Sequence, residues 1–398
     1  MVERAQHSAV PPILRLGDRD PEVRELCSVL AEVGALDPVA DGPRQPDEFD
    51  DSVERAVRAF QQQRGINVDG VVGPATRKAL DEASWQLGDR VLHHVPGDLV
   101  AGDDVVALQR RLLGLGFKVG RVDGRFGVDT EQAVREFQRN VGIRPDGACG
   151  PATLTALGRL APIVRGGSPN AMRSEERIRD AGPSLSDKVV AVDAAANLAA
   201  DPDQRARADQ ATADLARRVE HRLGTTGVHV LLASAGVSPP EEESERAEVV
   251  NRAEANLCIS LQVDASSNPA MSGVATYYYG LEAHGVRSWV GERLAGLVQR
   301  EIVARTGLTD LRSHPRAWDL LRRTRMPAVR VEVGYITNPG DAARLADVTF
   351  RDAVAEAVVV AVQRLYLAPE SDPRTGVLRL DEINALRQAP APGPSATD

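Results

Sequence analysis

Residue types that do chemistry are scattered along this chain of 398 residues, and their spacing rarely suits a reaction. His93 and His94 sit together in a connecting stretch, His221 falls in a helical pattern, His229 at a strand edge, and His284 and His314 in loop-like sequence. None has the His-Glu-x-x-His spacing that sets two imidazoles on one helix face, nor any other paired spacing for a metal. Cys27, Cys149 and Cys258 are odd in number and far apart, so they read as free thiols in a reducing compartment, packed as small hydrophobes. One carboxylate stands out. In Val329–Asn338 (VRVEVGYITN), Glu332 alternates with Val331 and Val333, so on a strand it faces away from them. A carboxylate there needs a partner, and Arg330 shares its face, which points to an ion pair.

Asp-Gly pairs form the second group of candidates, and they recur because the chain repeats itself. Phe49–Leu80 aligns without a gap on Phe126–Leu157, with about half of the positions identical. Upstream, Val23 to Leu26 matches Val105 to Leu108, and Gly34 matches Gly116. Each copy reads as three short helices. Val53, Ala56, Val57 and Phe60 make one apolar stripe, repeated by Thr130, Ala133, Val134 and Phe137. Pro74 and Pro151 open the last helix of each copy at the position where proline is tolerated.

The pattern resembles the peptidoglycan-binding domain 1 family, with its DG-x-F/Y-G-x-x-T loop, A-V-x-x-F-Q helix and DG-x-x-G-x-x-T loop. The second copy keeps Asp123, Gly124, Phe126, Gly127, Thr130, Asp146, Gly147, Gly150 and Thr153; the first keeps only Asp69, Gly70, Gly73 and Thr76. The resemblance implies binding of peptidoglycan fragments or precursors, with Asp123, Gly124, Asp146, Gly147 and Thr153 as candidate contacts. A purely turn-forming role for the same residues stays open. The first copy, with its first loop rewritten, is expected to serve packing or docking.

After a Gly-, Ser- and Pro-rich stretch, strand and helix patterns alternate: strands near Val189–Val192, His229–Ala233, Leu257–Leu261, Val274–Tyr279 and Val329–Val333, and helices near Gln204–Leu223, Glu241–Asn256, Val286–Arg305 and Phe350–Tyr366. Such alternation predicts an α/β domain with a largely parallel twisted sheet flanked by helices, its site beyond the strand ends. The expected layout is a first repeat at 12–84, a second at 92–160, a linker at 161–186, the α/β domain at 187–368 and a flexible tail at 369–398.

Three segments of this domain, Lys188–Asn197 (KVVAVDAAAN), Leu257–Ser266 (LCISLQVDAS) and Val329–Asn338, resemble the zinc-dependent N-acetylmuramoyl-L-alanine amidase family of the Amidase_3 type. There the segments run DPGHGG, SIHAN or SLHAN, and VEVGFISN. Ala196 and Gln262 stand at the two histidine positions, while Glu332 matches the catalytic glutamate, which the resemblance makes the general base. The third family ligand, a helical glutamate, falls near Ala208 and Asp209. Catalytic zinc takes about three imidazole or carboxylate ligands plus a water. Alanine offers no lone pair and a glutamine amide is a poor ligand, so no metal cofactor is expected, with Asp209 as a possible remnant. Gly334 and Asn338 are read as serving the turn after the strand.

A net charge of −9 argues against nucleic acid as a partner. No run of about 18 apolar residues is present to span a membrane. The N-terminal stretch has no apolar core and no small-residue cleavage site, so it does not read as a secretory signal, and a cytoplasmic location, peripheral to the inner membrane face at most, is expected. The end of the chain is polar, with a short amphipathic helix expected over Leu378–Arg387 and Thr375 as a candidate phosphoacceptor between Arg374 and Arg379. Two such repeats, an amidase-like domain without its histidines and a polar tail resemble a group of actinobacterial cytoplasmic regulators of cell-wall precursor synthesis. That resemblance implies an inactive amidase fold that binds muropeptide or precursor. It further implies a Ser/Thr protein kinase acting on the tail, a UDP-GlcNAc enolpyruvyl transferase activated as a result, and an association with the lipid II flippase. The alternative is a working zinc amidase that hydrolyses the lactyl–L-Ala amide of peptidoglycan.

Overall fold

The computed structural model describes residues 12–36, 47–160, 184–197, 201–233 and 242–367, with positions 178, 182 and 375 besides. The expected linker is largely outside these residues, as are most of the tail, its helix over 378–387 and the first eleven residues. The chain divides into two compact units, one chiefly Met1–Gly166 and the other chiefly Gly167–Asp398.

In the first unit, α1 (Pro21–Glu32), α2 (Asp51–Arg64) and α3 (Pro74–Ser84) build one copy. Helices α4 (Asp103–Gly114), α5 (Val128–Asn140) and α6 (Pro151–Gly158) build the other. The apolar stripe is buried as its period requires: Val53, Val57 and Phe60 are at most 1% exposed, as are Thr130, Ala133, Val134 and Phe137. Burying one such side chain stabilises by about 1.5–3 kcal/mol. Asp50 caps α2 by accepting from the Ser52 and Val53 amides, and prolines occupy the first turn of α3 and of α6. Single bridges, Leu14 with Val72 and Leu92 with Cys149, close the loops of each copy.

The second unit is an α/β domain around a seven-stranded sheet. Its strands are β1 (Val189–Ala194), β2 (His229–Leu232), β3 (Leu257–Asp264), β4 (Val274–Leu281), β5 (Val286–Arg287), β6 (Asp310–Arg316) and β7 (Ala328–Tyr335). Strands run β2-β1-β3-β7-β4-β5, with β6 on β4. The β2-β1-β3-β7 half is parallel, as expected, but β4 lies antiparallel to β7, so the whole is mixed. Strand β6 (DLRSHPR) carries a proline and no apolar alternation, which kept it out of the sequence pattern.

Alternation along the strands sorts the two faces. Val190, Val192, Ile259, Leu261, Val329, Val331 and Val333 belong to a continuous core with helices α7 (Pro202–Gly224), α9 (Trp289–Thr306) and α12 (Val348–Tyr366). The opposite face carries Asp193, Ser260, Gln262, Arg330, Glu332 and Tyr277, under α8 (Glu243–Arg252) and α10 (Asp319–Arg323). The last helix of the site end, α11 (Pro339–Ala346), follows β7 directly. Gly334 there has φ 76° with Asp341 Cβ 3.3 Å from where its own Cβ would be, and Asn338 caps α11 through the Gly340 and Asp341 amides.

Candidate functional site

Two cross-strand rows build the site. In the first, Asp193, Ser260, Arg330 and Tyr277 are successive partners across β1, β3, β7 and β4. Asp193 is fully buried, accepts from the Ser260 hydroxyl at 2.7 Å and is paired with Arg246 of α8 at 3.2 Å. Arg330 is paired with Glu243 of the same helix and lies 4.8 Å from the centre of the Trp318 ring. Glu243 also accepts from the Leu320 amide. Buried charges are tolerated only when matched in this way, and these pairs fasten α8 and the start of α10 onto the sheet.

The second row is Gln262, Glu332 and Ala275. Glu332 is 7% exposed, and its Oε2 accepts from the Tyr277 hydroxyl at 2.9 Å. The ion pair with Arg330 expected from the sequence is not formed: Arg330 is committed to Glu243. Burial, then the negative charge of Asp264, pushes the Glu332 carboxyl up to about 7, against the opposing pull of the Tyr277 bond and of Arg330 and Arg316. Asp264 is likewise raised, chiefly by burial. The Tyr277 phenol is held well above its ordinary range by burial and by Glu332. Its ring meets Trp318 at 4.7 Å and His314 at 5.9 Å between centroids, with the Arg316 guanidinium 5.5 Å from it. Tyr277 is therefore the site residue that sequence reasoning passed over. In sequence it is one tyrosine of an apolar strand, and only the β4–β7 register sets it beside Glu332.

The positions matching the family ligands do converge. Gln262 Nε2 donates to the Ala196 carbonyl at 3.3 Å. The next residue, Asn197, donates from its backbone amide to Asp209 Oδ1 at 2.7 Å and from its side chain to the Val263 carbonyl at 2.6 Å. This fixes the helical register: Asp209 faces the site, whereas Ala208 is fully buried in the core. The donor set does not fit zinc. Ala196 has a methyl, Gln262 turns an N–H donor inward, and the one carboxylate, Asp209, already serves a backbone amide. Among the described residues no group of three or more His, Cys, Asp or Glu could hold a metal ion. Cys149 and Cys258 are buried thiols pushed up in pKa by burial, so neither is an available ligand.

In the repeats, the candidate contacts surround a glutamine. Gln138 Nε2 donates to Asp146 Oδ1, the Ala148 carbonyl and Thr153 Oγ1, and its Oε1 accepts from the Gly147 amide. Gln61 does the same with Asp69, Val71, Thr76 and Gly70. Gln109 does it with Asp123, Arg125, Thr130 and Gly124. The polar groups of Asp123, Gly124, Asp146, Gly147 and Thr153 therefore hold loops on buried amides. Backbone bonds to Ala148 and the Gln138 contact keep the Asp146 carboxyl below its usual range. The first loop of the first copy lacks the arrangement in sequence: Cys27 stands where Gln109 would align, and Val53 where Thr130 would. The glutamines went unnoticed as organisers, though Gln61 and Gln138 both directly follow the stripe phenylalanine.

Thr375 accepts a weak bond, 3.4 Å, from Arg364, whose guanidinium pairs with the fully buried Glu301. Arg374 and Arg379, named with it from the sequence, lie outside the described residues. Among the described residues no helix is long and apolar enough to cross a membrane.

Comparison with known proteins matches residues 199–364 to a model of N-acetylmuramoyl-L-alanine amidase, and residues 19–80 and 101–157 to a model of a peptidoglycan binding domain. The chain is 44% identical over 383 residues, 94% of each, to "N-acetylmuramoyl-L-alanine amidase CwlM" of Mycobacterium tuberculosis. It is 33% identical over 158 residues, 35% of this chain and 43% of the other, to "Probable N-acetylmuramoyl-L-alanine amidase" of Bacillus licheniformis. Among solved structures, the N-acetylmuramyl-L-alanine amidase Ami1 of Mycobacterium smegmatis aligns over 46% of this chain and 98% of its own, with 20% identity and a TM-score of 0.40.

Proposed function

The chain belongs to the N-acetylmuramoyl-L-alanine amidase family, and from that premise we propose that it is a regulator built on an amidase fold that does not hydrolyse. The observation carrying this reading is the Gln262–Ala196 hydrogen bond at the ligand positions, where zinc would need imidazoles. Without metal there is no activated water and no charge to stabilise an oxyanion. Glu332, bonded to Tyr277, has no water of lowered pKa to deprotonate. In this reading the amidase fold is kept to bind muropeptide or precursor, alongside two repeats that match a peptidoglycan binding domain.

In this reading the protein acts in the cytoplasm, where UDP-GlcNAc enolpyruvyl transferase commits precursor to the cell wall, and it activates that enzyme. A Ser/Thr protein kinase supplies the switch by phosphorylating Thr375, and the lipid II flippase is a further partner. The Arg364 contact supports Thr375, because a phosphoryl group there adds nearly two negative charges beside a guanidinium. A pull-down comparing the native chain with Thr375→Ala tests the tail: the transferase should be retained by the phosphorylated native chain alone.

The name of the M. tuberculosis relative favours a second reading, an active zinc amidase cutting the amide to L-alanine. Zinc content of the purified protein, with hydrolysis of defined muropeptides, separates the two. The regulator reading expects no bound zinc and no turnover; stoichiometric zinc with metal-dependent cleavage would overturn it.

A further inference from the structure

Helix α7 carries charged groups at both of its ends. Asp209 meets Asn197 at the amidase-like site. His221 is twelve residues on, roughly 18 Å along the helix axis. There the chain turns into the start of β2, at the end of the sheet opposite Glu332. Arg217, Arg218 and Arg222 border a hollow of about 460 Å³ at this end, with His221, Thr225 and Asp352. The guanidiniums share few acids. Arg218 bonds Asp214 and Asp352, Arg222 reaches Asp352 only at 3.5 Å, and Asp214 is shared with Arg351 of α12. Arg217 has no carboxylate partner among the described residues, and its Nε donates to the Ala213 carbonyl of its own helix. Four arginines thus stand against two carboxylates, on a chain whose net charge is −9. A second hollow of about 590 Å³ shares His221 and Thr225 with the first and is lined beyond them by Val228, Val230 and Glu220.

Guanidiniums in excess around a hollow fit phosphate, because the planar fork offers two parallel N–H donors to its oxygens. The carbonyls at the end of α7 oppose an anion, so the attraction has to come from the arginines. The second hollow differs in kind. Its valine walls suit the uncharged part of the same ligand, and Glu220, which repels phosphate, can accept from hydroxyl groups. We infer that this cleft binds a sugar nucleotide, with its diphosphate held by Arg217, Arg218 and Arg222 and its sugar or base against Val228 and Val230. A muropeptide without phosphate has no counterpart there, so the cleft distinguishes nucleotide-linked precursor from wall fragment. The choice of a nucleotide-linked sugar among organic phosphates rests on the reading that this chain binds precursor in the cytoplasm; the phosphate site itself does not.

Titration calorimetry on the full chain tests it with UDP-GlcNAc, inorganic pyrophosphate and N-acetylmuramoyl-L-alanyl-D-isoglutamine, the last lacking phosphate. UDP-GlcNAc should bind more tightly than pyrophosphate although it carries less charge, and the muropeptide should not displace it. Arg217→Gln should weaken UDP-GlcNAc by about fivefold or more, the loss of one part-exposed charged contact. Asp352→Asn, which releases Arg218 and Arg222, should tighten it. Arg207→Gln, at an exposed position ten residues earlier on α7, should leave it unchanged, and melting curves confirm that each variant folds. Tighter binding of pyrophosphate, or displacement by the muropeptide, overturns the sugar-nucleotide assignment. Absence of binding, or equal losses in the Arg207 and Arg217 variants, overturns the site. Capture on phosphatidylglycerol vesicles through Arg217, without UDP-GlcNAc binding, gives the arginines to a lipid surface and overturns it too. Zinc-dependent cleavage of the muropeptide would sink the regulator reading while leaving phosphate binding at this cleft standing.

Discussion

The Tyr277 hydroxyl donates to Glu332 Oε2 at 2.9 Å, although the two residues are not opposite one another in the sheet. Tyr277 is the register partner of Arg330 and Glu332 that of Ala275, so the phenol reaches diagonally across the β4–β7 pair. A small residue at 275 leaves that diagonal open. The carboxylate thus gains one neutral hydrogen bond where a salt bridge would have fully stabilised its charge, and burial prevails.

Stability should therefore carry a pH signature from Glu332. Its folded pKa, about 7, lies above the unfolded value of about 4.3. Between the two, the folded state keeps a proton that the unfolded state has lost, so this group's contribution falls as pH rises from about 4.5 to about 7. Glu332→Gln has no charge to bury and removes that slope. Urea denaturation should find the variant and the native chain alike near pH 4.5, with the variant more stable by up to about 3 kcal/mol at pH 8. A difference independent of pH would assign the effect to packing instead.

Zinc binding should return only when several donors are restored together. Ala196→His or Gln262→His alone gives one imidazole and the short Asp209, too few ligands for tight binding. The double variant with Asp209→Glu, whose longer side chain extends past the Asn197 amide, should bind zinc stoichiometrically by metal analysis. Retention of metal by either single variant would show that the native donor set is closer to sufficient than its geometry indicates.

Much of this was legible in the sequence, and the failures share a cause. The stripes of α2 and α5 and the strands β1, β3 and β7 follow from local periodicity, which depends on near neighbours along the chain. That Ala196 and Gln262 stand where the resembling family has histidines is a matter of residue type, read without any placement in space. Glu332's partner was not, since Arg330 and Tyr277 compete for it only once β4 and α8 have been placed. The buried glutamines of the repeats were hidden for the opposite reason: Gln61, Gln109 and Gln138 look like surface residues of polar helix stretches until the loop folds back over them. Strand β6, polar and containing a proline, has no pattern of its own and exists by pairing with β4.

Those glutamines should matter more than the threonines they bind. Gln138→Ala leaves the Gly147 amide, Asp146 and Thr153 without their shared partner, and an unsatisfied buried group costs about 1–3 kcal/mol. Thr153→Val removes two bonds, the one from Gln138 and the one Thr153 donates to the Ala148 carbonyl, yet costs only about 1 kcal/mol because Gln138 still serves both Asp146 and that carbonyl. Hydrogen exchange at the Gly147 amide should accelerate strongly in the glutamine variant and slightly in the threonine one. If both accelerate equally, the loop is held by its own turn chemistry.

The Asp193–Arg246 pair offers the sharpest stability test, because both members are buried and Asp193 has no exposure at all. Removing one partner leaves a charge in the interior, so Arg246→Ala or Asp193→Ala should destabilise the amidase-like domain by about 3–5 kcal/mol. Removing both is a different case. Ser260 would lose its acceptor, yet no charge would remain to be desolvated. Asp193→Val with Arg246→Met should recover most of the single-variant loss, so the double-variant cycle gives a large coupling energy. If the two losses simply add, then α8 is held to the sheet by the Arg330–Glu243 pair and its neighbouring contacts, and Arg246 contributes packing alone.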